Sequence, residues 1–411
     1  MLAAAPPAAL VALAGCALPS ADQLPARQRA AASAPLVAGN EARLLIDGPR
    51  THDAMFAAMA RARDHINLQT YILDDGEAGE RLVAVLKDRV AAGVTAQLIY
   101  DSVGSIATPR EYFDRLREAG VNVCEFNPVR TRLDKVNNRD HRKILVVDGR
   151  VAFTGGINIS RAYASGSASA RRKGADTEEK IEEGWRDTQV MVEGPVVAQF
   201  QRLFLDAWAL QDCGPYAEAR YYPEPERRGG KAMRVVASDP TADRSEMYAT
   251  LLERIGGARS RVWLTVGYFV PDPQTKGVLA EAARRGVDVR LVLPGFSDFW
   301  APVDAGRSHY DELLAAGVRI YEWHEALMHA KTAVIDSQWG SIGSTNLDWR
   351  SFVHNYEADL VFQDAGFAQE LEHRFRRDLA ASVEIDAEKW RSRGLAQKLR
   401  EWFARQWEYL L

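Results

Sequence analysis

Asn138-Arg-Asp-His-Arg-Lys-Ile-Leu-Val-Val-Asp-Gly-Arg-Val-Ala-Phe-Thr-Gly-Gly-Ile-Asn158 is the stretch around which the chain is organised. Its skeleton is His141-x-Lys143, then Asp148, then Gly155-Gly156-x-Asn158. The skeleton returns as His329-x-Lys331, Asp336 and Gly343-Ser344-x-Asn346, with the same internal spacing. Ile144 to Val147 and Thr332 to Ile335 are mostly apolar and mostly β-branched, so each reads as a buried strand. Strand side chains alternate faces, so a histidine and a lysine two apart point the same way. A Gly-Gly or Gly-Ser pair after the next strand lets backbone approach a ligand, and an asparagine amide follows. Imidazole, ammonium and amide converging on one spot suit a phosphate. A lone His-x-Lys is ordinarily a half-exposed strand end, but a repeated, extended pattern is not explained that way.

The repetition extends outward from the motif. Arg89-Val-Ala-Ala-Gly93 precedes an apolar strand pattern from Val94, and Ala282-Ala-Arg-Arg-Gly286 precedes one from Val287. Leu116-Arg-Glu-Ala-Gly120 and Leu314-Ala-Ala-Gly317 do the same before Val121 and Val318. Each glycine stands where a helix C-cap is wanted. Helix feeding strand, three times in each copy, predicts an α/β fold with a mainly parallel sheet in each half. The copies are offset by about 190 residues, far too long a period for a solenoid, so this is a duplicated domain. Gly214-Pro215, Pro223, Pro225 and Gly229-Gly230 mark a linker. The expected organisation is a leader and tether over 1–40, a first domain over 41–213, a linker over 214–231, a second domain over 232–385 and a C-terminal basic and aromatic helix over 386–411.

The doubled motif resembles the paired HxKxxxxD signature of the phospholipase D superfamily, and the chain is most similar to bacterial cardiolipin synthases over roughly residues 40–385. The resemblance implies two phospholipase D-like halves with one active site at their interface. It implies that one histidine attacks phosphorus and carries a phosphohistidine, while the other protonates the leaving group and then activates the acceptor. We take His141 as nucleophile and His329 as acid/base, although a near-symmetric site does not reveal the order. Lys143, Lys331, Asn158 and Asn346 would hold the phosphate oxygens, and the lysine charge would stand where other phosphodiesterases use a metal. A carboxylate downstream of each asparagine would fix a histidine tautomer. Glu357 fits after Asn346. Asp187 is the best match in the first half, with Glu183 as its fallback. Asp148 and Asp336, at strand ends before turns, read as structural. Gly156 stands where the family usually has serine, which removes one hydroxyl donor.

Composition bounds the alternatives. The 411 residues, 47% hydrophobic and 26% charged, suffice for two cored domains. A net charge of −4 argues against a dedicated nucleic-acid binder. Cys16, Cys124 and Cys213 form no zinc-like spacing, and His324-Glu325 with His329 misses HExxH by one residue, so no metal and no cofactor is expected. Cys124 and Cys213 read as two free, buried thiols unless the compartment is oxidising. Leu13-Ala14-Gly15-Cys16 after a short apolar run resembles a lipoprotein lipobox, though no basic residue precedes the run. Cys16 would then be lipidated and the protein anchored to a membrane, facing the periplasm. Ala162 to Gly174, with Arg171, Arg172 and Lys173, reads as a mobile loop that either meets an anionic ligand or is simply solvated. Trp390 to Leu411 mixes aromatic and basic residues, as either a membrane-interface helix or a helix packed on the core.

Four functions follow. A phosphatidyltransferase making cardiolipin from phosphatidylglycerol is favoured. A phospholipase D releasing phosphatidic acid uses the same residues, because acceptor choice depends on water exclusion. A nuclease of the superfamily would need a basic groove that the sequence does not show. A non-catalytic lipid-binding protein would have no use for two intact motifs. The expected partners are phospholipid and membrane, with no nucleic acid; the sequence leaves the oligomeric state open.

Overall fold

The computed structural model describes residues 36–168, 180, 182, 184–240 and 246–410. The lipobox with Cys16, most of the tether, Arg171 to Lys173 and Glu183 lie outside the described residues. In the first half, β1 (Val37–Ile46), α1 (Asp47–Met59), β2 (His65–Thr70), α2 (Glu77–Ala91), β3 (Thr95–Asp101), α3 (Arg110–Glu118) and β4 (Asn122–Phe126) lead to the motif. The short β5 (Arg139–Asp140), β6 (Ile144–Val147), β7 (Val151–Gly155), β8 (Thr188–Glu193) and α4 (Val197–Leu210) complete it. β1 starts at Val37, inside the stretch read as tether.

The second half repeats the order. β9 (Lys231–Ser238), α5 (Glu246–Gly256), β10 (Arg261–Thr265), α6 (Pro273–Arg284), β11 (Asp288–Pro294), α7 (Trp300–Arg307), α8 (Tyr310–Ala315) and β12 (Arg319–Trp323) precede the motif strands. β13 (Thr332–Ile335), β14 (Trp339–Gly343), β15 (Asn355–Gln363) and α9 (Ala365–Ala380) follow. The edge strand β16 (Ser382–Glu384), α10 (Ala387–Arg391) and α11 (Leu395–Arg405) come last, so the C-terminal stretch is two helices rather than one.

All strands but β5 join one continuous sheet, with β9 beside β1 at its centre and the two halves running outward in matching order. The sheet is mixed, not mainly parallel. The helix-connected strands β2-β3-β4 and β10-β11-β12 are parallel, as expected. The motif strands are antiparallel: β6 pairs β2 and β7, and β13 pairs β10 and β14. The cause is local. Asp148-Gly149 and Asp336-Ser337 adopt positive φ in tight turns, and a connection that short can only join antiparallel neighbours. The helix-ending glycines Gly93, Gly120, Gly286 and Gly317 all have φ between +84° and +94°.

Each half has its own apolar core, around Leu68, Leu82 and Leu98 in the first and Leu264, Leu279 and Leu291 in the second. A third core crosses the centre, where Val146, Val192 and Phe200 pack with Val334, Leu360 and Phe367. β6 is buried along its whole length, which explains its unbroken Ile-Leu-Val-Val. Cys124 and Cys213 form a disulfide with Cα atoms 5.6 Å apart, so the reading of two free thiols is corrected. The bond ties β4 to the end of α4 across 89 residues of sequence, a proximity that only the folded sheet creates.

Candidate active site

β6 begins at the carboxyl end of β2, where Ile144 pairs with Gln69, and β13 begins at the carboxyl end of β10, where Thr332 pairs with Thr265. The residues just before each strand therefore emerge at the edge where α/β sheets build their sites. His141 and His329 stand there, both buried, with ring centroids 6.5 Å apart and planes at 76°. The approach is made by two short cross-links between the halves. β5 pairs in parallel with Asn355 and Tyr356 of β15, and the His141 amide donates to the Tyr356 carbonyl at 2.9 Å. In the mirror position Arg186 bridges Met328, and the His329 amide donates to the Arg186 carbonyl at 2.8 Å.

These links exchange the carboxylates between halves. His141 Nδ1 meets Glu357 Oε2 at 3.0 Å and Oε1 at 3.1 Å. His329 Nδ1 meets Asp187 Oδ2 at 2.7 Å. With Nδ1–H given to a carboxylate, the Nε2 lone pair of a neutral ring is free. The Arg186 guanidinium grips Asp378 of α9 with two bonds, at 3.1 and 2.6 Å, and so holds the residue beside Asp187 against the opposite half.

Lys143 and Lys331 are buried, and each donates to the carbonyl of its own histidine residue. Burial pulls Lys143 down to about 7, with Lys331 adding to the effect against Glu357. Burial pulls Lys331 down to about 8 against the pull of Asp187. Burial also keeps both imidazoles neutral: His329 is lowered to about 4, and His141 lies well below its usual value, with Lys143 and Lys331 contributing. Burial raises the Glu357 carboxyl to about 7, so its anion is less secure.

Asn158 and Asn346 are equivalently placed but turned. Asn158 Oδ1 accepts from the Ile72 amide at 3.0 Å, and Asn346 Oδ1 from the Tyr268 amide at 3.1 Å. Each amide oxygen is thus fixed on the strand-end loop, which leaves Nδ2 to donate, in Asn158 toward the Tyr163 hydroxyl as well. His52 Nε2 holds the Asn158 carbonyl at 2.9 Å. Asp148 and Asp336 lie away from the histidines. Asp148 accepts from the amides of Arg63, Asp64 and His65, and Asp336 from those of Arg259, Ser260 and Arg261.

The sequence reading missed several neighbours. Tyr163, in the stretch read as a mobile loop, sits in a 3-10 turn and is fully buried. Its hydroxyl lies 2.9 Å from His329 Nδ1 and donates to the Gly156 carbonyl at 3.2 Å. That part of the loop reading is corrected: Tyr163 packs with Trp185, Ile157 and Leu327, an apolar anchor inside a small, polar sequence. Trp185 stands 5.1 Å from the His329 ring. Tyr71 meets His141 edge-on at 5.1 Å and lies under Lys143 Nζ. At Gly156, an added Cβ would lie 2.3 Å from Asp187 Oδ1, so the carboxylate occupies the space that a serine side chain would need.

A family model described as "Cardiolipin synthase, PLD-like domain" matches residues 55–168 and 251–379, the two halves that build this site. The cardiolipin synthase A of Pseudomonas fluorescens is 37% identical over 369 residues, covering 89% of this chain and 74% of that protein. The cardiolipin synthase 1 of Bacillus anthracis is 32% identical over 373 residues, covering 88% and 71%. The chain belongs to the cardiolipin synthase family. As a member it is a phospholipase D-type phosphatidyltransferase with the duplicated α/β fold. The crystal structure of a phosphatidylserine synthase from Haemophilus influenzae superposes with a TM-score of 0.69 at 13% identity, over 94% of this chain and all of that one. A polyphosphate kinase from Porphyromonas gingivalis reaches 0.53 at 14% identity, over 82% of this chain and half of that one. At such identities the two structures speak for the fold alone. Among the described residues no helix is long and apolar enough to cross a membrane.

Proposed function

We propose that this enzyme makes cardiolipin by moving a phosphatidyl group from phosphatidylglycerol to the hydroxyl of a second lipid, through a phosphohistidine. The observation that carries this is the pair of neutral, buried imidazoles 6.5 Å apart, each held at Nδ1 by a carboxylate of the other half and flanked by a lysine. The His141 Nε2 lone pair attacks phosphorus, and the bond from phosphorus to the glycerol oxygen breaks. His329, which takes up a proton at Nε2 as the phosphate anion binds, passes it to that oxygen, and glycerol leaves. The acceptor hydroxyl then gives its proton to His329 and attacks phosphorus, returning the electron pair to His141. Lys143, Lys331 and the amides of Asn158 and Asn346 hold the phosphoryl oxygens as charge builds.

The assignment of His141 as nucleophile rests on its partner. Asp187 bonds His329 at a shorter distance and counteracts the lowering of its pKa, so His329 takes a proton more readily. Glu357 is drawn toward its neutral form by burial and supports an imidazolium on His141 less well. The phosphate anion between the rings further favours protonated His329 and protonated lysines. Lipidation at Cys16 would hold the enzyme on a membrane from the periplasmic side, and the Cys124–Cys213 disulfide is in keeping with an oxidising compartment.

The test is a product assay with purified protein, phosphatidylglycerol with and without phosphatidylethanolamine, no added metal, and products identified by mass. Cardiolipin with glycerol is the expected outcome; ethanolamine release would add a second donor. Phosphatidic acid alone would make the protein a hydrolase, and cleavage of a DNA or model phosphodiester with no lipid product would make it a nuclease.

A further inference from the structure

The catalytic histidines emerge at the carboxyl edge of the parallel strands, and the loops leaving that edge carry exposed apolar side chains. Leu133 and Val136, in the loop after β4, are 73% and 48% exposed. Trp300, at the start of the helix after β11, is 48% exposed. The residue two before it, Asp298, accepts from the Tyr268 hydroxyl at 2.6 Å, and the Tyr268 ring stands 6.2 Å from His329. The C-terminal helix α11 extends this surface. Its Ala404 is buried with Val270 and Ala305, and Arg400 is fixed to Asp304 of α7. Trp402 and, just past the helix, Trp407 face solvent, 61% and 52% exposed. The helix therefore packs on the core by one face and leaves an aromatic face exposed.

The apolar residues of the two halves are joined beside the site. Asn137, next to Val136, accepts from Arg350 at 3.3 Å and meets His354 Nδ1 at 3.3 Å. The His354 ring and Trp349 both pack on Tyr409, 5.7 and 5.6 Å away. On the β4 loop Arg132 lies 4.0 Å from Asp134, while the exposed Arg130 and the neighbouring Lys135 have no acidic partner among the described residues. In the C-terminal stretch Glu401 is taken by Arg393 and Glu408 by His309. Scattered exposed apolar residues need no explanation, but large aromatics gathered with basic residues on the catalytic edge do.

We infer that this rim is a membrane-docking surface, with Trp300, Trp402, Trp407, Leu133 and Val136 entering the interface of an anionic bilayer and Arg130, Arg132 and Lys135 meeting its headgroups. The inference rests on the lipid substrate proposed above. It would let a phospholipid enter the cleft from the bilayer while its acyl chains stay in apolar surroundings. It is separate from any acyl anchor at Cys16, because it belongs to the folded body.

The experiment uses the full chain carrying Cys16→Ser, so that no acyl anchor contributes. Flotation with phosphatidylglycerol/phosphatidylcholine vesicles measures binding, and quenching of tryptophan emission by brominated acyl chains measures insertion. Binding with quenching is expected. Trp402→Ser/Trp407→Ser should weaken partition about tenfold. Arg130→Glu/Arg132→Glu should weaken binding to anionic vesicles and leave that to pure phosphatidylcholine unchanged. Turnover of a short-chain, monomeric phosphatidylglycerol should be the same in Trp402→Ser/Trp407→Ser as in the parent. Flotation equal in parent and variants would overturn the inference. So would a dimer, seen by analytical ultracentrifugation, that Trp402→Ser/Trp407→Ser converts to monomer without changing flotation, because the patch would then join two copies. Turnover of the short-chain lipid without vesicle binding removes the docking surface alone. Vesicle binding without turnover of any lipid removes the proposed reaction and leaves the surface standing.

Discussion

The two histidines occupy equivalent backbone positions in very different company. His141 has a glutamate two bonds wide, with Tyr71 edge-on and Lys143 over the tyrosine ring. His329 has a shorter aspartate contact, the buried hydroxyl of Tyr163 and the indole of Trp185. Where Tyr71 stands beside Lys143, the corresponding Gly267 leaves its Cβ position 3.0 Å from Lys331 Nζ. Duplication supplies symmetric groups, but a transfer reaction needs one group to attack and one to move a proton. In the proposed mechanism, the difference in surroundings lets two copies of one motif divide that work.

The largest test removes either ring. His141→Ala and His329→Ala should each lower phosphatidyl transfer by about 10³-fold or more with the fold retained by circular dichroism. A phosphodiester with a nitrophenolate leaving group separates the roles, because that group departs without a proton. His329→Ala should still load the enzyme, with the added mass on the peptide holding His141, and His141→Ala should not. An adduct on His329 in the His141→Ala protein would reverse the assignment.

The carboxylates come next. Asp187→Asn and Glu357→Gln should each cost on the order of 10² in kcat, since either change removes the anion that fixes a tautomer. The comparison predicts a split. Asp187→Asn should be milder on the nitrophenyl substrate than on phosphatidylglycerol, because its histidine is the acid. Glu357→Gln should be equally damaging on both. Equal behaviour of the two variants would mean that the site is symmetric in function as well as in backbone.

The pH profile has a smaller range. In the free enzyme the imidazoles are already neutral above about pH 5, since burial holds His329 near 4 and His141 well below its usual value. The lysines, drawn to about 7 and about 8, lose their protons as pH rises through that range. Because His329 must also gain the proton that it donates, kcat/KM should fall with rising pH above about 4, and more steeply above 7 as the lysines lose theirs. In kcat the bound phosphate anion restores the ammonium form, so the alkaline limb should move to higher pH. A kcat/KM that rises steadily to pH 9 would show that protonated lysines are not required.

Much of this site was legible because it is written in local spacing. His-x-Lys on one strand end, the glycines and the asparagine all follow from period-two geometry and turn chemistry. Asp148-Gly149 also carried a hairpin signal that predicts the antiparallel motif strands, and weighing it would have corrected the mainly parallel reading. What was not legible depends on contacts between distant segments. Glu357 and Asp187 could be picked out as carboxylates, but their exchange between halves requires the bridges at Tyr356 and Arg186. Tyr163 was hidden among alanines, serines and glycine, with its single aromatic ring as the only clue. The Cys124–Cys213 bond spans 89 residues and has no local signature at all.

The smallest effects sit at the one motif position where the halves differ in sequence. In the second half the Ser344 hydroxyl accepts from the Ala358 amide at 3.0 Å and also meets the longer Glu357 carboxylate. In the first half Gly156 leaves that volume to the shorter Asp187, whose carboxylate would be 2.3 Å from an added Cβ. Glycine and aspartate thus go together, as serine and glutamate do. Gly156→Ser should displace Asp187 from His329, lowering kcat about tenfold and stability by about 1–3 kcal/mol through overpacking. Ser344→Ala, which removes one hydroxyl and creates no clash, should cost about 1 kcal/mol in urea denaturation and less than about threefold in kcat. If the order were reversed, the hydroxyl would matter more than the carboxylate's place, and the missing serine of the first half would be a lost function, not a fitted one.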